Sequence, residues 1–97
     1  MVKQELKETI GSLAVMLAIE TEPKRLHEIT RSFINWIKCG LIESQNDTTD
    51  IERLKSEFEL GKGNQKEIVR TALAVAINND LIDCPELAKL RGMYGCL

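Results

Sequence analysis

The stretch Leu13–Ile19 (LAVMLAI) constrains this chain more than any other. It closes a segment, Val2–Glu20, that begins amphipathic and ends apolar on every side. At about 100° per residue, Val2, Leu6, Ile10, Leu13 and Leu17 form one helical stripe. Val15 and Ile19 fall on the opposite side, with Gly11, Ala14 and Ala18 between. A helix that is apolar all round has to be covered on more than one face. This one is expected at the centre of a helical bundle or in a subunit interface.

The following residues supply the rest of such a bundle. Thr21-Glu22-Pro23 ends the first helix and starts a second, because proline suits the first turn of a helix and not its interior. The second helix is expected over Pro23–Cys39. Leu26, Ile29, Phe33 and Ile37 form its stripe, with Ile34 on one flank and Trp36 on the other. Gly40 is read as its C-terminal cap, after which Leu41-Ile42 turn back onto the core. Glu43–Asp50 (ESQNDTTD) is a polar loop. Thr49 with Glu52 makes a capping pattern for a third, surface-lying helix with Ile51, Leu54 and Phe58 on its apolar side. Gly61-Lys62-Gly63 breaks it. Asn64 with Glu67 opens a fourth helix, Gln65–Asn79, nearly as apolar all round as the first. Small residues on both apolar helices predict that helices one and four pack closely at the buried centre. A short last helix is expected from Pro85, capped by Asp83 or Cys84 and burying Leu87 and Leu90. Glu28–Ser32 (EITRS) also resembles Glu67–Thr71 (EIVRT), each helix ending in a polar break and a Leu-Ile pair after a one-residue shift; helix-capping grammar alone produces much of this likeness, and a duplicated hairpin is the alternative.

Size and composition narrow the function classes. Ninety-seven residues, 43% hydrophobic and 29% charged, make one globular domain over 1–97. A formal net charge of −2 gives no global attraction to nucleic acid or anionic lipid. The longest apolar run falls far short of the roughly 20 residues a membrane span needs. Lys3, Glu5, Lys7 and Glu8 interrupt any signal-like run. Cys39, Cys84 and Cys96 have neither knuckle spacing nor an even count, so a reducing, cytoplasmic setting is expected.

Catalytic chemistry finds few residues to work with. His27, the single histidine, precedes Cys39 by about 18 Å along one helix, too far for a thiolate–imidazole pair within it. Asp83 and Glu86 beside Cys84 oppose a thiolate there. No histidine, cysteine and carboxylate set has metal-site spacing, and Asp47…Asp50…Glu52 lacks the alternation and central glycine of a calcium loop. Gly61-Lys62-Gly63-Asn64 falls short of a nucleotide-binding loop and is read as helix punctuation. No enzyme activity, metal or cofactor is expected.

Binding features concentrate on helix two. Lys24, Arg31 and Lys38, spaced by seven, stack as a basic row opposite its apolar stripe, with Arg25 nearby; such a ridge can meet phosphates or an acidic partner. Trp36 stands at the edge of the stripe, on the same flank as Arg25 and Ile29, where a tryptophan can anchor a protein contact. Ile29–Ser44 (ITRSFINWIKCGLIES) resembles the recognition helix and following turn of winged helix-turn-helix regulators. That resemblance implies DNA binding through helix 23–39 and a two-stranded wing after it, where this sequence has the Thr49 capping pattern. The expected fold is all-α, a compact bundle of four main helices plus a short C-terminal fifth. The expected function is a non-enzymatic protein-binding or regulatory module of adaptor, inhibitor or immunity type that self-associates as a homodimer. Trp36, Arg25, Lys24, Arg31 and Lys38 are the expected partner-contact residues, with DNA the alternative partner and no membrane association.

Overall fold

The computed structural model describes residues 2–94 and contains five helices. They are α1 (Gln4–Ile19), α2 (Pro23–Glu43), α3 (Thr49–Glu59), α4 (Gln65–Asn78) and α5 (Leu87–Met93). The all-α bundle expected from the sequence is what the chain adopts. No strand occurs among the described residues, and no described helix is long and apolar enough to cross a membrane.

The helix starts follow their side-chain chemistry. Glu22 accepts the Lys24 and Arg25 backbone N–H groups at 3.3 Å each, and Pro23 fills the first helical position, where its missing N–H leaves no gap. Asn64 caps α4 through the Lys66 N–H at 2.8 Å. At α3 the holding residue is Asp47, whose carboxylate accepts both the Thr49 N–H, at 3.0 Å, and its hydroxyl, at 2.6 Å. Thr48, the residue before the helix, makes no side-chain cap; its hydroxyl donates to the Glu52 carboxylate at 3.2 Å, so the capping box expected from Thr49 with Glu52 does not form although the helix starts at Thr49. Neither Asp83 nor Cys84 caps α5, which follows Glu86 without a side-chain cap.

Three of the helix ends share one device. After α2, α3 and α4 a residue turns left-handed, namely Gln45 (φ 59°), Gly61 (φ 68°) and Asp80 (φ 54°). In each case the next residue's N–H reaches back to a carbonyl five residues earlier: Asn46 to Leu41 at 2.9 Å, Lys62 to Glu57 at 2.8 Å and Leu81 to Ala76 at 2.8 Å. This double-bonded reversal satisfies carbonyls that the helix leaves open. It corrects the expected end of α2. Gly40 is no cap; it lies buried within the helix, which runs on through Leu41, Ile42 and Glu43. A methyl at Gly40 would sit 3.1 Å from both Leu6 Cδ2 and Leu81 Cδ2, so this glycine lets two leucines close on the helix backbone.

The extension makes α2, and not α1 with α4, the centre of the bundle. α2 packs against α1, α3 and α4, α3 also packs on α4, and α5 on α1; α1 and α4 are not principal neighbours. The physical reason is stripe width. Buried residues of α2 come in adjacent pairs one turn apart (Ile29-Thr30, Phe33-Ile34, Gly40-Leu41, with Ile37 between), broad enough to serve three neighbours. The second apolar side of α1 is covered unevenly: Val15 packs against the core, while Ile19 is 73% exposed. The repeat likeness also stops short. Leu41 closes α2 from within its last turn, whereas Leu81 follows α4 outside the helix, so the two Leu-Ile pairs hold different structural positions.

Thr30 is the buried polar residue of the core. Its hydroxyl donates to the Leu26 carbonyl at 2.7 Å and accepts from the Gln65 amide at 3.0 Å, which ties α2 to the start of α4.

Candidate functional site

The outward surface of α2 has two margins, and the expected contact residues divide between them. One margin follows α3. There Lys38 pairs with Glu52 at 3.3 Å, and Arg31 donates to His27 Nε2 at 3.3 Å. The His27 ring in turn stacks on Phe58 with centroids 4.5 Å apart. The basic row is therefore partly engaged from within. Lys24 alone in the row has no side-chain partner among the described residues. α3 brings Asp50, Glu52, Glu57 and Glu59 against Arg53 and Lys55, an acidic excess beside the ridge. The residues after α2 form this helix where the resemblance to winged regulators implies a two-stranded wing.

The other margin follows α1. Arg25 reaches Glu20 at 3.7 Å, which marks the seam between the two antiparallel helices. Trp36 is three helical turns beyond Arg25 and so points to the same side. It is 41% exposed, the single tryptophan of the chain. On the α1 side of the seam Met16, one turn before Glu20, shares the direction of the Glu20 carboxylate. Helical spacing along α2 therefore sets Trp36 on the same side as Arg25. Lys24, Arg31 and Lys38 belong to the opposite margin and do not join them.

Sequence spacing alone does not reveal two residues of the seam. The sequence places Glu43 in a loop because Gly40 resembles a helix end; as the last residue of α2 it stands about five turns after Arg25, on the same line. Met16 is hidden within the all-round apolar segment Leu13–Ile19. The signal for Glu43 is the Gln45-Asn46 pair, polar residues able to make the left-handed reversal that a glycine makes elsewhere.

Elsewhere the surface offers little chemistry. A concavity of about 510 Å³ over α1 is lined by Glu8, Gly11, Ser12, Asp83, Cys84 and Glu86 among others. Burial, above all, pushes the Cys84 thiol up, and its hydrogen bond to Glu86 at 3.2 Å adds to the rise, so the sulfur is held protonated and away from nucleophile chemistry. A second, of about 300 Å³, lies between the end of α1, the starts of α2 and α4 and the end of α5, around Leu17, Leu26, Lys66, Val69 and Met93. Among the described residues no three histidine, cysteine or carboxylate groups are placed to hold a metal ion. Cys39 is an exposed free thiol; Cys96 lies outside the described residues. No family model matches the sequence, and neither a curated protein nor a solved structure matches it.

Proposed function

We propose that this chain is a non-enzymatic, protein-docking helical module that works through the α1–α2 seam. The observation that carries the reading is Trp36. A large aromatic on the longest helix is left 41% exposed while its neighbours Phe33 and Ile37 are fully buried. Tryptophan set among small and polar neighbours is a common energetic anchor of protein interfaces. The basic row, the feature that favours DNA, spends Lys38 on Glu52 and Arg31 on His27, which leaves less charge for phosphates. The exposed free thiol of Cys39 suits a reducing compartment such as the cytoplasm.

The test compares two binding experiments on the intact protein. Affinity capture from the native host is run with wild-type and Trp36→Glu chains, and a labelled DNA duplex is titrated at two salt concentrations. The docking reading expects a captured protein that the Trp36→Glu chain loses, and no salt-sensitive DNA binding. Steeply salt-dependent DNA binding abolished by Lys24→Glu with Arg31→Glu would replace it with the nucleic-acid reading. Capture that survives Trp36→Glu would remove the seam from the interaction.

A further inference from the structure

The seam carries a charge pattern that specifies one kind of partner. Along α2, Arg25, Ser32, Trp36 and Glu43 are all exposed. Separations of seven, eleven and eighteen residues return a helix to within about 20° of one direction, so the four form a single line. Its length is about 27 Å at 1.5 Å per residue. Read from its N-terminal end the line is cation, small residue, aromatic, anion. Read from the other end it is anion, aromatic, small residue, cation. Laid antiparallel on a copy of itself, it matches group for group: each Arg25 opposes a Glu43, and each indole opposes the small side chain of Ser32. A parallel arrangement instead sets arginine on arginine and glutamate on glutamate, which is repulsive at both ends.

The charges at the ends are open to such use. Glu43 has no ion-pair partner among the described residues, and the Arg25 contact with Glu20 is long at 3.7 Å. Self-complementarity about a two-fold axis is the requirement for a closed symmetric dimer. We infer that the partner of this face is a second copy of the chain, bound with the two α2 helices antiparallel in the register that pairs Arg25 with Glu43. This rests on the docking reading above and names its occupant.

The experiment is sedimentation velocity on the full chain from about 5 to 500 µM, a range that spans weak dimers. Arg25→Glu, Glu43→Arg, the double variant and Trp36→Ala are compared with wild type. Circular dichroism is recorded first to show that all remain helical. Wild type is expected to dimerise. Each single charge reversal places like charges together at both ends and should weaken association about tenfold or more. The double variant re-creates both pairs and should return to within about threefold of wild type, while Trp36→Ala should abolish the dimer. A wild-type chain that stays monomeric across the range overturns the inference. So does a dimer indifferent to every variant, which would use another face, or a double variant no better than the singles, which would refute the register. A strict monomer that still captures a host protein through Trp36 removes the dimer alone and leaves the docking reading standing.

Discussion

Replacing Gly11 by alanine tests how the α4–α5 connection is fastened to the bundle. In an exposed helix interior this substitution stabilises by about 1 kcal/mol, because alanine restricts the unfolded chain and favours helix. Gly11 is buried, and the connection crosses directly over it. A β-carbon there would run into the Asp83 carbonyl oxygen and would sit 3.0 Å from Cys84 Cβ and 3.2 Å from the Asp83 carbonyl carbon. These are backbone and first side-chain atoms, which cannot swing aside as a leucine tip can. Relief requires lifting residues 83 and 84 off α1, and that strains the Asp83 N–H bond to the Lys7 carbonyl at 3.2 Å. Overpacking of this kind costs about 3 kcal/mol at the upper end of the usual range, so the net expectation is a loss of about 2 kcal/mol. For a domain this size the melting temperature should fall by roughly 10 °C. Gly92→Ala in α5 is the control, since a β-carbon there meets nothing within 4 Å and should stabilise by about 0.5–1 kcal/mol. Urea denaturation followed by circular dichroism measures both. A Gly11→Ala protein as stable as the Gly92→Ala protein would show that the connection is not held where the structure places it.

Other substitutions probe the remaining devices. Gln45→Gly should stabilise by about 0.5–1 kcal/mol and Gly61→Ala should destabilise by about 1 kcal/mol, because both residues sit in the left-handed region; equal melting temperatures for all three proteins would contradict those reversals. Thr30→Val should cost about 1–2 kcal/mol by leaving the Gln65 amide without its acceptor, again read from urea midpoints. Asp47 has its carboxyl held below the ordinary value, first by the Thr49 hydroxyl and then by the Thr49 N–H. A folded value depressed below the unfolded one contributes stability above about pH 4 that is lost as pH falls through the folded value, so Asp47→Asn should flatten the acid limb of the stability curve; an unchanged limb would refute this. An aryl-disulfide thiol reagent should modify Cys39 rapidly in the folded protein and spare Cys84, as peptide mapping of the labelled chain will show.

Much of the fold was legible because it is written in local chemistry. Pro23, Asn64 and the Gly61–Gly63 break mark boundaries that the structure reproduces nearly to the residue, and the stripe Ile51, Leu54, Phe58 identifies the buried side of α3. Gly40 misled for a physical reason. A glycine after an apolar run signals either a helix end or a place where another side chain must come close, and only the positions of Leu6 and Leu81 decide between them. The central helix was misjudged for a related reason. Apolar residues around α1 report how much hydrophobic surface exists and not whether a neighbour covers it, and Met16 and Ile19 stay outside. At the candidate site, the common flank of Trp36 and Arg25 follows from helical spacing alone. The engagement of Lys38 by Glu52 depends on where α3 lands, which no spacing within α2 encodes.

Leu81 ties the completion of the core to a late part of the chain. Fully buried against the Gly40 backbone, it bonds back to Ala76, and two residues on Asp83 bonds to Lys7. The α1–α2 hairpin can form early, since its contacts are close in sequence, but the groove between Leu6 and Gly40 stays unfilled until a residue more than forty positions later arrives. During synthesis from the N-terminus, Leu81 is made only after most of the chain, so this contact is among the later ones available. The contacts of Leu81 and Asp83 thereby join the first helix, the middle of the second and the segment after the fourth, so three distant parts of the chain share one small patch of the core.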